Sequence, residues 1–266
     1  MTWWLLSYVA LGLGSGFIAG LFGVGGGLTI VPILLMLFNA QGFPEDQLMH
    51  LALGTAMATI VVTSISSMRA HHYHGGVRWD IFKGMAPGLV AGTLVGSLFA
   101  SRVETDHLAI AFTAIVYWAS LQMLLDFKPK PTRQLPGFSG LLGTGGIIGG
   151  VSSLVAAGGG FLSVPFMVLC NVPIRQAVGT SAALGLPIAA AGVMGYIAGG
   201  WSMAGLPGPH VGFVYVPAFL GVVLSTVFMA PVGARLAHRL PVKQLKRAFG
   251  GMLALLASKM LWTLIG

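Results

Sequence analysis

Long stretches without a single charged side chain constrain this sequence more than any other feature in it. No Asp, Glu, Lys or Arg falls in the windows 3–38, 47–68, 84–101, 108–125, 137–174 or 176–234. A helix needs about 20 predominantly apolar residues to cross a bilayer, and the longest windows hold more than one such length. Charged residues make up 8% of the 266-residue chain, against about 25% in a soluble domain. One water-soluble globule cannot bury that much apolar chain, so the sequence predicts an all-α polytopic membrane protein. The opening MTWWLLSYVALGLG carries no basic stretch and reads as a retained span rather than a cleaved leader. A lone cysteine, Cys170, excludes an intramolecular disulfide framework and the multi-cysteine metal motifs. The net charge of +8 sits beside the apolar runs, as topology determinants do, which argues against a nucleic-acid partner.

The chain also matches itself, in order. GVGGGLTIVP (23–32) aligns with AAGGGFLSVP (156–165), and LALGTAMA (51–58) with QAVGTSAA (176–183). GSLFASRVETDHLAIAF (96–112) aligns with GARLAHRLPVKQLKRAF (233–249). Order-preserving self-similarity marks a duplication: residues 1–125 are a first membrane repeat, 126–136 a linker and 137–266 a second repeat. The basic residues set the relative orientation. Arg69, Arg78 and Lys83, then Lys128, Lys130 and Arg133, then Arg175, then Arg235, Arg239, Lys243, Lys246 and Arg247 include every Lys and Arg except Arg102 and Lys259. Putting those four segments in the cytoplasm satisfies the positive-inside rule. Loop 101–106 is then outside while its counterpart 235–247 is inside, so the repeats are inverted. This gives about 8–10 membrane segments, including Gly-broken or re-entrant helices.

The glycine runs explain why a break is worth making. Gly25, Gly26 and Gly27, and again Gly158, Gly159 and Gly160, interrupt apolar chain, where each glycine costs a helix about 1 kcal/mol relative to alanine. Irregular backbone at membrane depth survives only where protein or a polar cavity satisfies it. Paired breaks in two inverted halves point to a transporter's midplane site. The helices starting near Leu28 and Phe161 would aim free amides and a positive dipole end at the breaks, which favours an anion. Thr29 and Ser163 lie in the first turns as hydroxyl donors, and Pro32 and Pro165 bend these short helices. Thr55, Thr180 and Ser181, in the GT pairs, are candidates for a second pair of breaks converging on the same cavity. The competing reading gives the glycines to close packing and the hydroxyls to backbone carbonyls. Glycines at four-residue spacing, Gly12, Gly16 and Gly20 and then Gly84, Gly88, Gly92 and Gly96, are assigned to helix packing alone.

Several chemistries find no residues. The predicted spans hold no carboxylate relay and no arginine clamp, and Lys259 is expected to snorkel. His71, His72 and His74 are read as a solvated loop rather than a metal site. GLGSGF (12–17) lacks a preceding strand, so it is no dinucleotide fingerprint. No nucleophile–base pair marks an enzyme, and no cofactor is implied.

HLALGTAMATIVVTSISSMRAHHYHGGVRW, the twofold GGG-x3-VP signature and RQAVGTSAALGLPIAAAGVMGYIAGG together resemble the sulfite exporter TauE/SafE family over nearly the whole chain. The resemblance implies a multi-pass permease of the bacterial inner membrane for sulfur-containing oxyanions such as sulfite or organosulfonates. The expected partners are that small anion and the lipid bilayer, with the oligomeric state, homodimer included, left open. The alternative from another class is an ion channel with the glycine loops as its filter.

Overall fold

The computed structural model describes residues 2–22, 26–125, 133–237 and 242–265. Most of the linker, with Lys128 and Lys130, and also Arg239 lie outside the described residues. The first half of the chain holds α1 (Thr2–Phe22), α2 (Gly27–Ala40), α3 (Leu48–Tyr73), α4 (Trp79–Ala100) and α5 (Thr105–Leu124). The second holds α6 (Phe138–Val155), α7 (Gly160–Leu169), α8 (Ile174–Gly200), α9 (Val216–Ala237) and α10 (Val242–Ile265). A 3-10 turn, Glu45–Gln47, precedes α3. An antiparallel two-stranded ribbon, β1 (His210–Val211) with β2 (Val214–Tyr215), precedes α9 and pairs His210 with Tyr215. The chain is an all-α polytopic membrane protein. Helices dominate because backbone in hydrocarbon has to satisfy its own hydrogen bonds.

Among the described residues, 5 helices are long and apolar enough to cross a membrane: Glu45–Tyr73, Trp79–Ala100, Thr105–Leu124, Phe138–Val155 and Ile174–Gly200. The first and last of these are the innermost. Their most apolar windows are 72% and 56% buried, against 39% for each of the other three. α3 and α8 pack on each other and form the centre of the bundle.

Glycine sets the closest approaches around that centre. Gly84 meets Leu141, Gly88 meets Leu142, Gly92 meets Gly146 and Gly96 meets Gly150 and Ser153, so α4 and α6 run parallel. A methyl on Gly88 would stand 2.0 Å from the Leu142 carbonyl oxygen. On the other flank Tyr8 meets Gly221, Gly12 meets Val222 and Ser225, and Gly16 meets Thr226, so α1 and α9 also run parallel. The packing reading of Gly12, Gly16 and Gly84 to Gly96 agrees with these contacts. Side-chain volume is traded for close backbone contact, which substitutes for the hydrophobic drive that lipid removes.

The two short helices double back. Gly26 lies beside Ser15 and Ala19 of α1, and beyond the far end of α2 the Gln41 amide donates to the Tyr8 hydroxyl. α1 and α2 therefore form an antiparallel hairpin whose two open ends lie together. α6 and α7 repeat the arrangement: Gly159 lies beside Ile148 and Ser152, while the Arg133 amide ahead of α6 donates to the Leu169 carbonyl that ends α7.

The loops gather at two ends. At one, Thr105 donates to the Asp46 carbonyl, His50 Nε2 lies 2.9 Å from the Val103 carbonyl oxygen and Phe43 packs on Tyr215. At the other, the Arg78 amide donates to Thr180 and Gly76 packs on Gly179. Two sequence expectations are corrected here. Gly54-Thr55 and Gly179-Thr180-Ser181 lie inside unbroken α3 and α8 and are not a second pair of breaks. His71 and His72 belong to the last turn of α3 rather than a loop, and His72 Nδ1 accepts the Trp79 indole N–H.

Candidate functional site

Both glycine runs start a helix from the one backbone conformation that favours glycine. Gly26 caps α2 at φ 70° and Gly159 caps α7 at φ 75°. A side chain there would be strained whatever the space around it. Each cap carbonyl then closes the first turn of the new helix. The Gly26 oxygen accepts from the amides of Thr29 and Ile30, and the Gly159 oxygen from those of Leu162 and Ser163. The amides that precede those in each helix have no intrahelical acceptor by position.

The two breaks meet. A Cβ on Gly27 would lie 1.8 Å from the carbonyl oxygen of Ala156 and 2.7 Å from Ile60 Cδ1. Gly158 lies against the same Ile60 and against Gly185 of α8. Ile60 is near the middle of α3 and Gly185 near the middle of α8, so the junction is at mid-depth of the bundle. Gly26, Gly27, Gly158, Gly159 and Gly160 are all buried there, and Gly25 lies outside the described residues.

The hydroxyls sort into three kinds. Thr29, 1% exposed, donates to the Gly26 carbonyl at 2.7 Å, so its proton is spent on its own cap. Ser163 Oγ lies 2.9 Å from both the Gly159 carbonyl oxygen and Ser181 Oγ, joining α7 to α8 beside the break. Thr55 and Thr180 turn away from the junction, in matching fashion. Thr55 accepts the Tyr215 amide at 3.0 Å, and Thr180 accepts the Arg78 amide at 2.9 Å. Gly54 packs against Phe213 and Gly179 against Gly76, so each GT pair docks the segment that leads into α9 or α4.

Sequence reasoning missed Ser152. Its hydroxyl is fully buried, has no hydrogen-bond partner among the described residues, and lies 3.9 Å from where a Cβ on Gly159 would stand. Extending the match of 23–32 with 156–165 backwards sets Ser152 opposite Ala19. That polar-for-apolar exchange beside a break is the signal that points to it. Among the described residues that meet at the junction none is charged. The Arg78–Asp80 ion pair and the contact of His107 with Glu104 sit in exposed positions near helix starts.

Comparison with known proteins gives the family. The sulfite exporter TauE/SafE family profile matches residues 8–260. A Haemophilus influenzae protein named "Probable membrane transporter protein" is 36% identical over 98% of this chain and 99% of its own length. Similarly named proteins of Bacillus subtilis and Methanocaldococcus jannaschii are 26% and 23% identical. They cover 88% and 95% of this chain, and 90% and 94% of their own lengths. No solved structure matches. The chain is a membrane transporter that belongs to the sulfite exporter TauE/SafE family.

Proposed function

We propose that this transporter is a secondary permease of the bacterial inner membrane that carries a small sulfur-containing oxyanion. The anion binds where the two glycine breaks meet, and two inverted halves, 1–125 and 137–266, rock around it. The observation that carries this reading is the contact of Gly27 with Ala156, beside Ile60 at mid-depth. Two half-length helices, α2 and α7, begin at that junction, and each directs its first amides and the positive end of its dipole toward it. The parallel pairs α1 with α9 and α4 with α6 support an exchange relation between the halves. So do the matching hairpins and the matching roles of Thr55 and Thr180.

The mechanism needs no proton relay in the export direction. Moving an anion out of an inside-negative cell releases about 2.3 kcal/mol per charge per 100 mV. The breaks are sealed in this conformation, with Thr29 1% and Ser163 0% exposed, so binding and release require the hairpins to shift against α3 and α8. Proteoliposomes loaded with sulfite should release it faster when the interior is made negative, with a rate that saturates in sulfite. A channel would instead pass current that stays linear in concentration, and absence of any sulfite, thiosulfate or sulfoacetate flux would overturn the reading.

A further inference from the structure

The two breaks are built from the same glycines but face different atoms. At the α2 end, Gly27 is met by the Ala156 carbonyl oxygen, and Gly26 by Ala19 Cβ, the Ser15 carbonyl oxygen and Ile30 Cδ1. None of those atoms is a donor, and two are oxygens that repel an anion. At the α7 end the neighbours of Gly159 are Ile188 Cδ1, Ile148 Cγ2 and Ser152 Oγ. Here a donor is on hand, and nothing else among the described residues uses it. Ser153 next door spends its proton on the Gly150 carbonyl, and Ser163 is engaged by Gly159 and Ser181. Ser152 Oγ is left buried without a partner among the described residues. Burying a hydroxyl unpaired costs free energy, and a group left so in a folded protein calls for an explanation.

We infer that the Ser152 hydroxyl is a direct ligand of the carried oxyanion at the N-terminus of α7. The halves then divide their labour: the second half holds the anion, and the α1–α2 hairpin, which lines Gly26 with Ala19, Ile30 and the Ser15 carbonyl oxygen, closes over it. Ser152 donates its proton to one anion oxygen while the first amides of α7 donate to the others. The asymmetry gives the carrier one anion site per chain instead of one per break. The proposal rests on the transport reading above.

The test compares purified wild type with Ser152→Ala and with Ser153→Ala, whose hydroxyl is already spent on Gly150. Affinity for sulfite, thiosulfate and sulfoacetate is measured by calorimetry, and the melting temperature is measured without ligand. Ser152→Ala should bind the preferred anion about ten- to a hundredfold more weakly, the range for one hydrogen bond to a charged group. Its ligand-free melting temperature should equal or exceed that of wild type, because an orphan hydroxyl has been removed. Ser153→Ala should bind as wild type does. Equal affinity in wild type and Ser152→Ala overturns the assignment and leaves the transport reading standing. A drop in ligand-free stability of Ser152→Ala, whatever its affinity, marks a structural hydroxyl and overturns it as well. If wild type binds none of the three anions, the transport reading falls and takes this inference with it.

Discussion

Gly26 and Gly159 differ from the buried glycines inside the helices in what a side chain would do to them. At φ 70° and 75° the backbone itself rejects a β-branched residue. Around Gly26 the nearest atoms to an added Cβ are 3.3 Å or more away, so strain rather than overlap dominates there. Gly26→Val and Gly159→Val should each abolish anion binding while still inserting into the membrane. Normal affinity in monodisperse variant protein would assign both glycines to packing. The GT threonines lead to the opposite expectation. Thr55→Val and Thr180→Val leave the Tyr215 and Arg78 amides without their acceptor, a loss of about 1–3 kcal/mol each. Both should lower the melting temperature and leave anion affinity unchanged; a selective loss of affinity would return them to the binding site. The glycine breaks were legible because three glycines in a row have no place inside a helix. Ser152 was not, since a serine in GGVSSLV looks like any other small residue at a helix interface. The roles of Thr55 and Thr180 depend on segments more than a hundred residues away, which no local pattern reports.

The helix pairs show which glycines serve contact alone. Along α4, a Cβ at Gly88 or Gly92 would come within 2.0 Å of a carbonyl oxygen of α6. Backbone cannot give way there as the end of a side chain can. Gly88→Leu and Gly92→Val should therefore force α4 and α6 apart and reduce the yield of folded protein, with normal affinity in what remains. Size-exclusion profiles combined with calorimetry test this, and wild-type yield from either variant would disprove the contact. The four-residue spacing made this interface readable, because small residues recurring on one helix face mark close approach. The hairpins were harder to read. α1 has 21 residues, the length of a span, and its composition is that of a span. Only contacts that bring Gly26 back to Ser15 and Gln41 back to Tyr8 show that α2 returns along α1. Hydropathy measures what a segment tolerates, not where it turns.

At the scale of the whole molecule the issue is which loops share a side of the membrane. α5 and α10 run antiparallel, with Gly250 against Ser120 and Leu124, and Ser258 beside Tyr117. His107, near the start of α5, and Gln244, near the start of α10, therefore lie toward opposite ends of the bundle. In the proposed pairing of 96–112 with 233–249 they are equivalent positions. Both are exposed, unlike Thr105, which is 5% exposed and donates to Asp46. The background is favourable for cysteine labelling. Cys170 is 5% exposed, and burial pushes its thiol above the usual range, so little thiolate is present to react. In the inverted arrangement, with the Lys- and Arg-rich loops in the cytoplasm, His107→Cys should be modified by an impermeant maleimide in intact cells. Gln244→Cys should be modified only after the cells are opened or in inverted vesicles. Labelling of both from the same side would mean that equivalent segments share a face, and the halves would then be related by a parallel duplication that cannot alternate access by exchanging roles.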